Sequence, residues 1–298
     1  DQTACTQPAL FAIQYALARM LQGWHLEPAA VIGHSIGEFA AACVAGMLSL
    51  EDAAPLVATR GRLMQALPAG GAMVAITASE AAVSARLESY SDRVAIAALN
   101  ARDQLVLSGD RVALQALLDS LAVPESDRRW LQVSHAFHSP LMTPMLQAFG
   151  QAAAAVTHSP PRVAFVSNVT GRVWDAAPDA DYWVRHARTP VRFAQGIEAV
   201  SELGCSVLVE IGPTPILLSL VQRSPSVSGR TVVSTLRRGR SDSEQMAALR
   251  ASLYVAGAAV DWRAVTSNRP GRRVALPTYP FARERYWFEA RRALPMRT

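Results

Sequence analysis

The spacing of apolar side chains changes along the chain, and these changes predict its helices and strands. Leu10, Ile13 and Leu17 recur at the spacing of one helix face, which predicts a helix that begins near residues 6–8 and ends before residue 28. Further along, the pattern predicts a buried strand at 29–32, a small-residue helix at 38–47, and one or two helices over 50–67 that Pro55 interrupts or begins.

Residues 70–139 have a different pattern, in which strand and helix signals follow the order strand, helix, strand, strand, helix, strand. This βαββαβ order is that of a ferredoxin-like unit, so we expect a small subdomain inserted into a larger sheet. The predicted strands are 72–76, 94–100, 104–109 and 128–137, and the predicted helices are 79–89 and 110–121.

Beyond residue 140, helices and strands alternate again, which is typical of a mainly parallel sheet with helices on both faces. The sequence therefore predicts an α/β protein. Residues 269–290 are rich in Pro, Arg and aromatic residues and predict an extended tail that its aromatic rings pin to a surface. The predicted helices are 141–156, 192–204, one after Pro215, and 243–257, and the predicted strands are 162–171 and 206–212.

Composition narrows the class of protein. The 298 residues are 50% hydrophobic and 18% charged, as in globular domains, and no apolar run is long enough to span a bilayer. The first residues lack a secretory pattern, which predicts a cytoplasmic protein. Cys5, Cys43 and Cys205 are far apart and lack metal-ligand spacing, so we expect buried thiols and neither a disulfide nor a metal site.

The positive charge is concentrated near the end of the chain. All 29 basic residues are arginines, and from Arg230 onward there are 14 arginines against five acidic residues. Helical and aromatic segments separate these arginines, so we do not expect a nucleic-acid partner. A solvated or inter-domain surface, or a docking face for an acidic protein, remains open.

The stretch "GHSIG" at 33–37 lies between a predicted strand and a predicted helix. A strand, Gly-x-Ser-x-Gly and a helix form a nucleophile elbow, in which the glycines at 33 and 37 let strand and helix approach each other and the turn exposes the hydroxyl of Ser35. The helix that begins at Ile36 directs backbone N–H groups at the site, where they can stabilise an oxyanion.

A serine hydroxyl needs a base, and the chain has six histidines. His34 adjoins the serine and is expected to point elsewhere and support the site, whereas His25 and His158 lie beside predicted loops and are expected at the surface. "VSHAFHSP" places two of the remaining three where the inserted unit returns to the main sheet and a cleft should open. The remaining candidates are His135, His138 and His186.

Seven stretches occur together in one order: "GHSIGE", "ATRGRLM" with Arg60, "HAFHS", "FVSNVTG", "YWVRHARTPVRF", "VEIGPTP" and "LPTYPFARERYW". The chain resembles, over almost its whole length, the acyltransferase domain of modular type I polyketide synthases. The resemblance implies a hydrolase-like large subdomain (1–69 and 140–265), a ferredoxin-like small subdomain (70–139) and a post-acyltransferase linker (266–298) that packs back toward a ketosynthase.

The resemblance also implies roles for individual residues. Ser35 would be the nucleophile that carries the acyl group, with the Ile36 N–H in the oxyanion hole, and His138 would be the general base. In the family a backbone carbonyl orients this histidine, and the matching position is His186. Arg60, 25 residues past the serine, matches the arginine that binds the carboxylate of the extender unit, a task that suits a planar guanidinium.

The resemblance further implies a substrate. The "HAFH" form of the motif at 135–138 and an aliphatic residue at Ile36 resemble the malonyl-selective type. Phe137 would fill the space of an α-methyl branch, with His135 contributing to selectivity, at a cost to the branched substrate of roughly 1–3 kcal/mol. The expected substrate is malonyl-CoA, no cofactor is expected on this domain, and the expected partners are an acyl carrier protein bearing phosphopantetheine and the adjacent ketosynthase.

The sequence departs from the family pattern in two places. Family members carry an earlier Gly-Gln-Gly loop whose N–H completes the oxyanion hole, and the printed sequence begins after the corresponding position. Thr214 replaces a histidine that the family often has in the "GPTP" loop.

Two other classes remain as alternatives. A serine hydrolase or thioesterase would use the same elbow but needs an acid between serine and histidine, and Asp103, Asp110 and Asp127 all lie inside the inserted unit. No Asp-Gly pair of the patatin type occurs. A non-catalytic docking fragment of a synthase would explain the basic aromatic tail.

Overall fold

The structure is a computed structural model that describes residues 2–267 and 274–287. Its helices are α1 (Thr3–Gln22), α2 (Gly37–Val44), α3 (Leu50–Gln65), α4 (Glu80–Leu87), α5 (Arg111–Ser120), α6 (Leu146–Ala154), α7 (Ala180–Arg188), α8 (Phe193–Glu202), α9 (Leu218–Val221), α10 (Asp242–Val255) and α11 (Trp262–Thr266). Its strands are β1 (Ala30–Ile32), β2 (Gly71–Thr77), β3 (Val94–Ala101), β4 (Gln104–Asp110), β5 (Arg128–Trp130), β6 (Ala164–Val166), β7 (Val173–Trp174), β8 (Val207–Glu210) and β9 (Thr231–Ser234).

The first two long helices contain a proline that was expected to lie at a helix start or break. α1 begins at Thr3, earlier than predicted, and Pro8 lies inside the helix and not in its first turn. α3 runs through Pro55 without a break. The two helices pack closely where Gly61 faces α1, since a Cβ there would lie 3.0 Å from the Thr3 carbonyl oxygen. Tertiary packing thus outweighs the tendency of proline to end a helix.

The large sheet is short and built in two parts. β1 pairs in parallel with β6, from Ala30↔Ala164 to Ile32↔Val166, and β7 pairs antiparallel with β6. β8 and β9 form a separate parallel pair. Because parallel strands end at the same edge, the chain leaving β1 and the chain leaving β6 meet there, and this edge carries the candidate site.

The inserted unit is a four-stranded antiparallel sheet with strand order β3-β4-β2-β5. Its helices α4 and α5 bury one face through Val83, Leu114 and Leu117, among others. The opposite face packs against the large subdomain through Met73 and Val106. The predicted α/β fold with a hydrolase-like part and a ferredoxin-like part is therefore confirmed, and the exact division of the chain between the two stays a prediction.

Several predicted elements have different limits. β5 covers only 128–130 instead of 128–137. The Leu131 N–H still donates to the Met73 carbonyl of β2 at 2.9 Å, but the Val133 N–H turns back to the Leu131 carbonyl at 3.1 Å, so the chain leaves the sheet before β2 ends. Residues 131–139 instead form the irregular segment that carries His135 and His138. The predicted helix 141–156 is a 3-10 turn over Pro140–Met145 followed by α6.

Four elements were not predicted at all: α7, α11, β7 and β9. α7 had a usable signal, since the Asp179 carboxylate accepts a hydrogen bond from the Tyr182 N–H at 2.6 Å and so caps the helix. β7 has two residues and β9 has four, too few for a period to be read.

The prediction that aromatic rings pin the tail to a surface is wrong for the described part of that tail, 274–287. Tyr279, Phe281, Tyr286 and Trp287 are 73–88% exposed. Tyr279 and Phe281 pack on each other, with ring centroids 5.0 Å apart. These rings therefore bury little area, although burial of such area is what would hold them to a surface. Residues 268–273 and 288–298 of the predicted tail lie outside the described residues.

Candidate active site

Ser35 sits in the turn between β1 and α2 with φ of +49°, in the left-handed region that non-glycine residues rarely adopt. The turn is possible because position 33 is glycine, since a Cβ there would lie 2.2 Å from the Glu38 nitrogen. A Cβ at Gly37 would meet only the Gln14 side chain, at an ordinary 3.6 Å. Of the two motif glycines, only Gly33 is therefore required by close contact among the described residues.

The serine hydroxyl faces a histidine in the structure. Ser35 Oγ lies 2.7 Å from His138 Nε2, and His138 Nδ1 lies 3.0 Å from the Thr189 carbonyl oxygen. With its proton on Nδ1, the ring donates to Thr189 and offers Nε2 as an acceptor to the hydroxyl. This is the geometry of a nucleophile and base pair, oriented by a backbone carbonyl.

The orienting carbonyl differs from the prediction. It belongs to Thr189 and not to His186, which contributes a weaker backbone interaction to the same ring. α7 ends at Arg188, and Thr189 is extended with ψ of 163°, so its carbonyl leaves the helix direction and reaches His138. The sequence motif alone did not show where the helix ends.

Electrostatics favour the neutral form of the base. Burial, together with the nearby positive charge of Arg60, lowers the pKa of His138 to about 3. The ring therefore stays neutral, and able to accept a proton, throughout the physiological pH range.

Arg60 extends from α3 into the site and is 1% exposed. Its Nη1 donates to Gln7 Oε1 at 2.7 Å, and its Nη2 lies 3.4 Å from Ser35 Oγ. Its Nε has no hydrogen-bond partner, and within 2–267 and 274–287 no carboxylate lies at ion-pair distance from the guanidinium. Burial lowers its pKa to about 10, so the group remains a cation.

A buried polar network lies beneath the elbow. The side chain of Asn168, 2% exposed, donates from Nδ2 to the Gly33 carbonyl at 2.9 Å and accepts from the Ser35 N–H at 2.8 Å. Its own N–H donates to Glu38 Oε2 at 2.7 Å, and the Tyr182 hydroxyl donates to Glu38 Oε1. Burial raises the pKa of Glu38 to about 8, partly offset by these hydrogen bonds.

His186 is fully buried next to this network. Its Nε2 lies 3.9 Å from Glu38 Oε1, and its ring meets the His138 ring edge to face at 6.1 Å. Burial lowers the pKa of His186 well below its usual value, which keeps the ring neutral.

The remaining predicted residues surround the dyad. His34 Nε2 lies 2.8 Å from Asn100 Oδ1, which ties the elbow to β3 of the small subdomain, as expected for a supporting residue. Burial lowers the pKa of His34. His135 Nε2 lies 3.0 Å from the Leu67 carbonyl oxygen. Phe137 is partly buried and contacts the apolar clusters of both subdomains, and Ile36 packs at the start of α2.

Residues predicted to lie away from the site do so, with two corrections. His25 is exposed, as predicted. His158 is not a free surface residue, because it accepts a hydrogen bond from Trp183 Nε1 at 3.1 Å. The prediction of buried thiols is wrong for Cys5, which is exposed, and holds only in part for Cys43 and Cys205, which are half-buried. In the part of the chain that the structure describes, no helix could cross a membrane and no cluster of metal-ligand residues occurs.

Comparison with known proteins decides the family. Residues 1–260 match the family model described as the acyl transferase domain. The chain belongs to the acyl transferase domain family. This acyl transferase domain is 47% identical over 290 residues to the phenolphthiocerol synthesis polyketide synthase type I Pks15/1 of Mycobacterium marinum, covering 96% of the chain and 14% of that protein. It is 44% identical to polyketide synthase GfsA of Streptomyces halstedii over 97% of the chain and 4% of that protein.

Solved structures agree. The acyltransferase domain from the second module of the salinomycin polyketide synthase is 46% identical, with a TM-score of 0.88 over 94% of this chain and 66% of that one. FabD from Acinetobacter baumannii is 29% identical, with a TM-score of 0.74 over 86% of this chain and 82% of that one. By contrast, the chain spans only 4–14% of the length of the two polyketide synthases named above.

Sequence reasoning missed several residues of the site. Asn168 and Glu38 lay within quoted motifs but were given no role, and Gln7 and Thr189 were not singled out. The usable signal for Glu38 was its place as the one charged residue in the apolar, small-residue helix α2. The contacts of Gln7 and Thr189 join residues 53 and 51 positions apart and could not be read from local pattern.

Proposed function

We propose that this acyl transferase domain loads a malonyl group from malonyl-CoA onto Ser35 and passes it to the phosphopantetheine thiol of an acyl carrier protein. The observation that carries the proposal is Arg60, a buried cation without a carboxylate partner in the described residues, whose Nη2 lies 3.4 Å from Ser35 Oγ. Leaving such a charge unpaired is costly, so an acyl group with its own carboxylate is the ligand that this arrangement favours.

The first half-reaction follows from the dyad. As Ser35 Oγ attacks the thioester carbonyl, His138 Nε2 takes the hydroxyl proton, and the oxygen of the tetrahedral intermediate carries the negative charge. The Ile36 N–H, which donates to no acceptor among the described residues, is suited to stabilise that oxygen. The carbon–sulfur bond then breaks, and His138 returns its proton to the departing CoA thiolate.

The second half-reaction is the reverse with another thiol. His138 takes the proton of the phosphopantetheine thiol, sulfur attacks the acyl-serine ester, and the Ser35 alkoxide recovers the proton as it leaves. Each half-reaction uses the same two groups, so the kinetics should be ping-pong.

Malonyl selectivity belongs to the same proposal. The partly buried ring of Phe137, beside His135 with ring centroids 6.4 Å apart, would occupy the space of an α-methyl branch. Together with Ile36 at the start of α2 it would disfavour methylmalonyl by roughly 10- to 200-fold. One structural neighbour, 32% identical with a TM-score of 0.73, is the malonyl-CoA:acyl carrier protein transacylase of Xanthomonas oryzae pv. oryzae, which supports a malonyl substrate here.

The partners proposed are the carrier protein and an adjacent ketosynthase, since the curated relatives are polyketide synthases. The alternative of a triad hydrolase is disfavoured, because His138 Nδ1 faces the Thr189 carbonyl and not a carboxylate.

The test is a product analysis with malonyl-CoA and an acyl carrier protein bearing phosphopantetheine, resolved by mass spectrometry. Transfer predicts malonyl-carrier protein as the main product, at a rate that saturates with either substrate in ping-pong fashion. Free malonate as the main product would identify a hydrolase. No turnover of either kind would favour the docking fragment.

A further inference from the structure

Asn168 lies where β6 ends, next to the elbow that follows β1. Its side-chain amide bridges Gly33 and Ser35 on the β1 side of the nucleophile turn, because Nδ2 donates to the Gly33 carbonyl at 2.9 Å and Oδ1 accepts from the Ser35 N–H at 2.8 Å. Its backbone carbonyl accepts from the Arg192 N–H at 2.9 Å. One side chain, held in place at its backbone, therefore fixes the backbone that leads into the strained residue.

The strained backbone at Ser35 has to be held in place by hydrogen bonds. Ser35 has φ of +49°, a conformation that L-residues keep only when their surroundings over-determine it. Its own carbonyl accepts from the Glu38 N–H at 2.9 Å, which fixes the side toward α2. On the side toward β1, the acceptor of the Ser35 N–H among the described residues is Asn168 Oδ1.

Asn168 is itself held in place by a hydrogen-bond network that involves Glu38, Tyr182 and Ser167. Its N–H donates to Glu38 Oε2 at 2.7 Å, and Glu38 is fixed in turn by the Tyr182 hydroxyl, which also lies 2.9 Å from Ser167 Oγ. The Ser167 hydroxyl accepts from the Val169 N–H at 3.1 Å and so closes the turn that carries Asn168. The turn after β6 and the turn after β1 are thus one hydrogen-bonded unit.

We propose that Asn168 is a positioning residue that sets the direction of the Ser35 hydroxyl toward His138. It also engages the Ser35 N–H, which leaves the Ile36 N–H as the elbow amide that faces a developing oxyanion. The inference rests on the proposed role of Ser35 as the nucleophile. It does not depend on which acyl group the serine carries.

The experiment compares Asn168→Ala, which removes both side-chain hydrogen bonds, with Asn168→Asp, which keeps an acceptor for the Ser35 N–H but loses the donor to Gly33. Thr170→Ala is the matched control, because it lies in the same turn. Among the described residues, the side-chain hydrogen bond that it removes is the one from the Arg172 N–H to Thr170 Oγ1 at 3.3 Å. Each protein is treated with a fluorophosphonate, which labels an activated serine whatever the natural acyl group is. The labelling rate constant and the affinity for the probe are measured separately, beside a thermal melt and the kcat and KM for malonyl-CoA.

We expect Asn168→Ala to lower the labelling rate constant of Ser35 at least tenfold while leaving the affinity for the probe within twofold. Asn168→Asp should fall between Asn168→Ala and wild type, and Thr170→Ala should match wild type. In the acyl-CoA assay the loss should be in kcat and not in KM. If Asn168→Ala does not fold, Asn168→Asp against Thr170→Ala makes the same comparison.

Wild-type labelling in folded Asn168→Ala, or equal labelling of Asn168→Asp and Thr170→Ala, would overturn the inference. A Ser35 that reacts with the fluorophosphonate but never takes a malonyl group would contradict the proposed function and leave the positioning test intact.

Discussion

Arg60 offers the sharpest test of substrate recognition, because no carboxylate of the described residues lies at ion-pair distance from its guanidinium. Arg60→Ala removes the proposed partner of the malonyl carboxylate. A hydrogen bond to a charged group contributes about 1.5–3 kcal/mol, so a bidentate contact supports a loss of at least about 10- to 150-fold in kcat/KM for malonyl-CoA. Acetyl-CoA has no carboxylate and should lose little.

The assay is the rate of Ser35 acylation by malonyl-CoA and by acetyl-CoA, expressed as a ratio. Arg60→Ala should lower the malonyl-to-acetyl ratio by about two orders of magnitude, within the range set by those bonds, and Arg60→Lys should recover part of it, because lysine keeps the charge but not the planar pair of donors. Arg62→Ala, an exposed arginine on the same helix, is the control and should leave the ratio unchanged. An unchanged ratio in Arg60→Ala would refute the carboxylate contact.

Three further predictions follow from the packing around the site. Gly33→Ala should destabilise the domain by several kcal/mol or prevent folding, because its Cβ would lie 2.2 Å from the Glu38 nitrogen, and an unchanged melting temperature would contradict this. Phe137→Ser, and more so with His135→Tyr, should reduce the preference for malonyl-CoA over methylmalonyl-CoA in competition, and an unaltered preference would exclude Phe137 as the gate. The free energy of unfolding should fall as pH drops below about 6.5, because the pKa of His34, His138 and His186 is lowered in the folded state, so the unfolded chain takes up more protons there. Glu38, whose pKa is raised from 4.5 to about 8, releases a proton on unfolding and offsets part of this effect, and flat stability from pH 6.5 to 5 would contradict the burial of neutral rings.

The motifs that carry local chemistry could be predicted from the sequence. Gly33 and Ser35 in one turn, with a strand before and a helix after, were enough to predict the elbow, because steric constraints there are local. The strand and helix order at 70–139 likewise predicted the small sheet, whose β3-β4-β2-β5 arrangement follows from that order.

Features that depend on long-range contacts could not be predicted from local pattern. His138 meets Ser35 across 103 residues, and only the family resemblance, not local pattern, singled it out from three candidate histidines. The choice of the Thr189 carbonyl depends on where α7 ends, and α7 itself was missed. The strand predicted over 128–137 stops at Trp130 although β2 continues to Gly71, because the chain turns away at Leu131–Val133, and the apolar pattern of the segment does not show that turn.

Intact-protein mass spectrometry tests the central claim most directly. The protein is mixed briefly with equimolar malonyl-CoA and methylmalonyl-CoA, with Ser35→Ala treated in parallel. We expect one malonyl adduct that is absent from Ser35→Ala and that disappears when a phosphopantetheine thiol is added. An adduct that persists in Ser35→Ala, or a predominant methylmalonyl adduct, would contradict the proposed nucleophile or the proposed substrate, respectively.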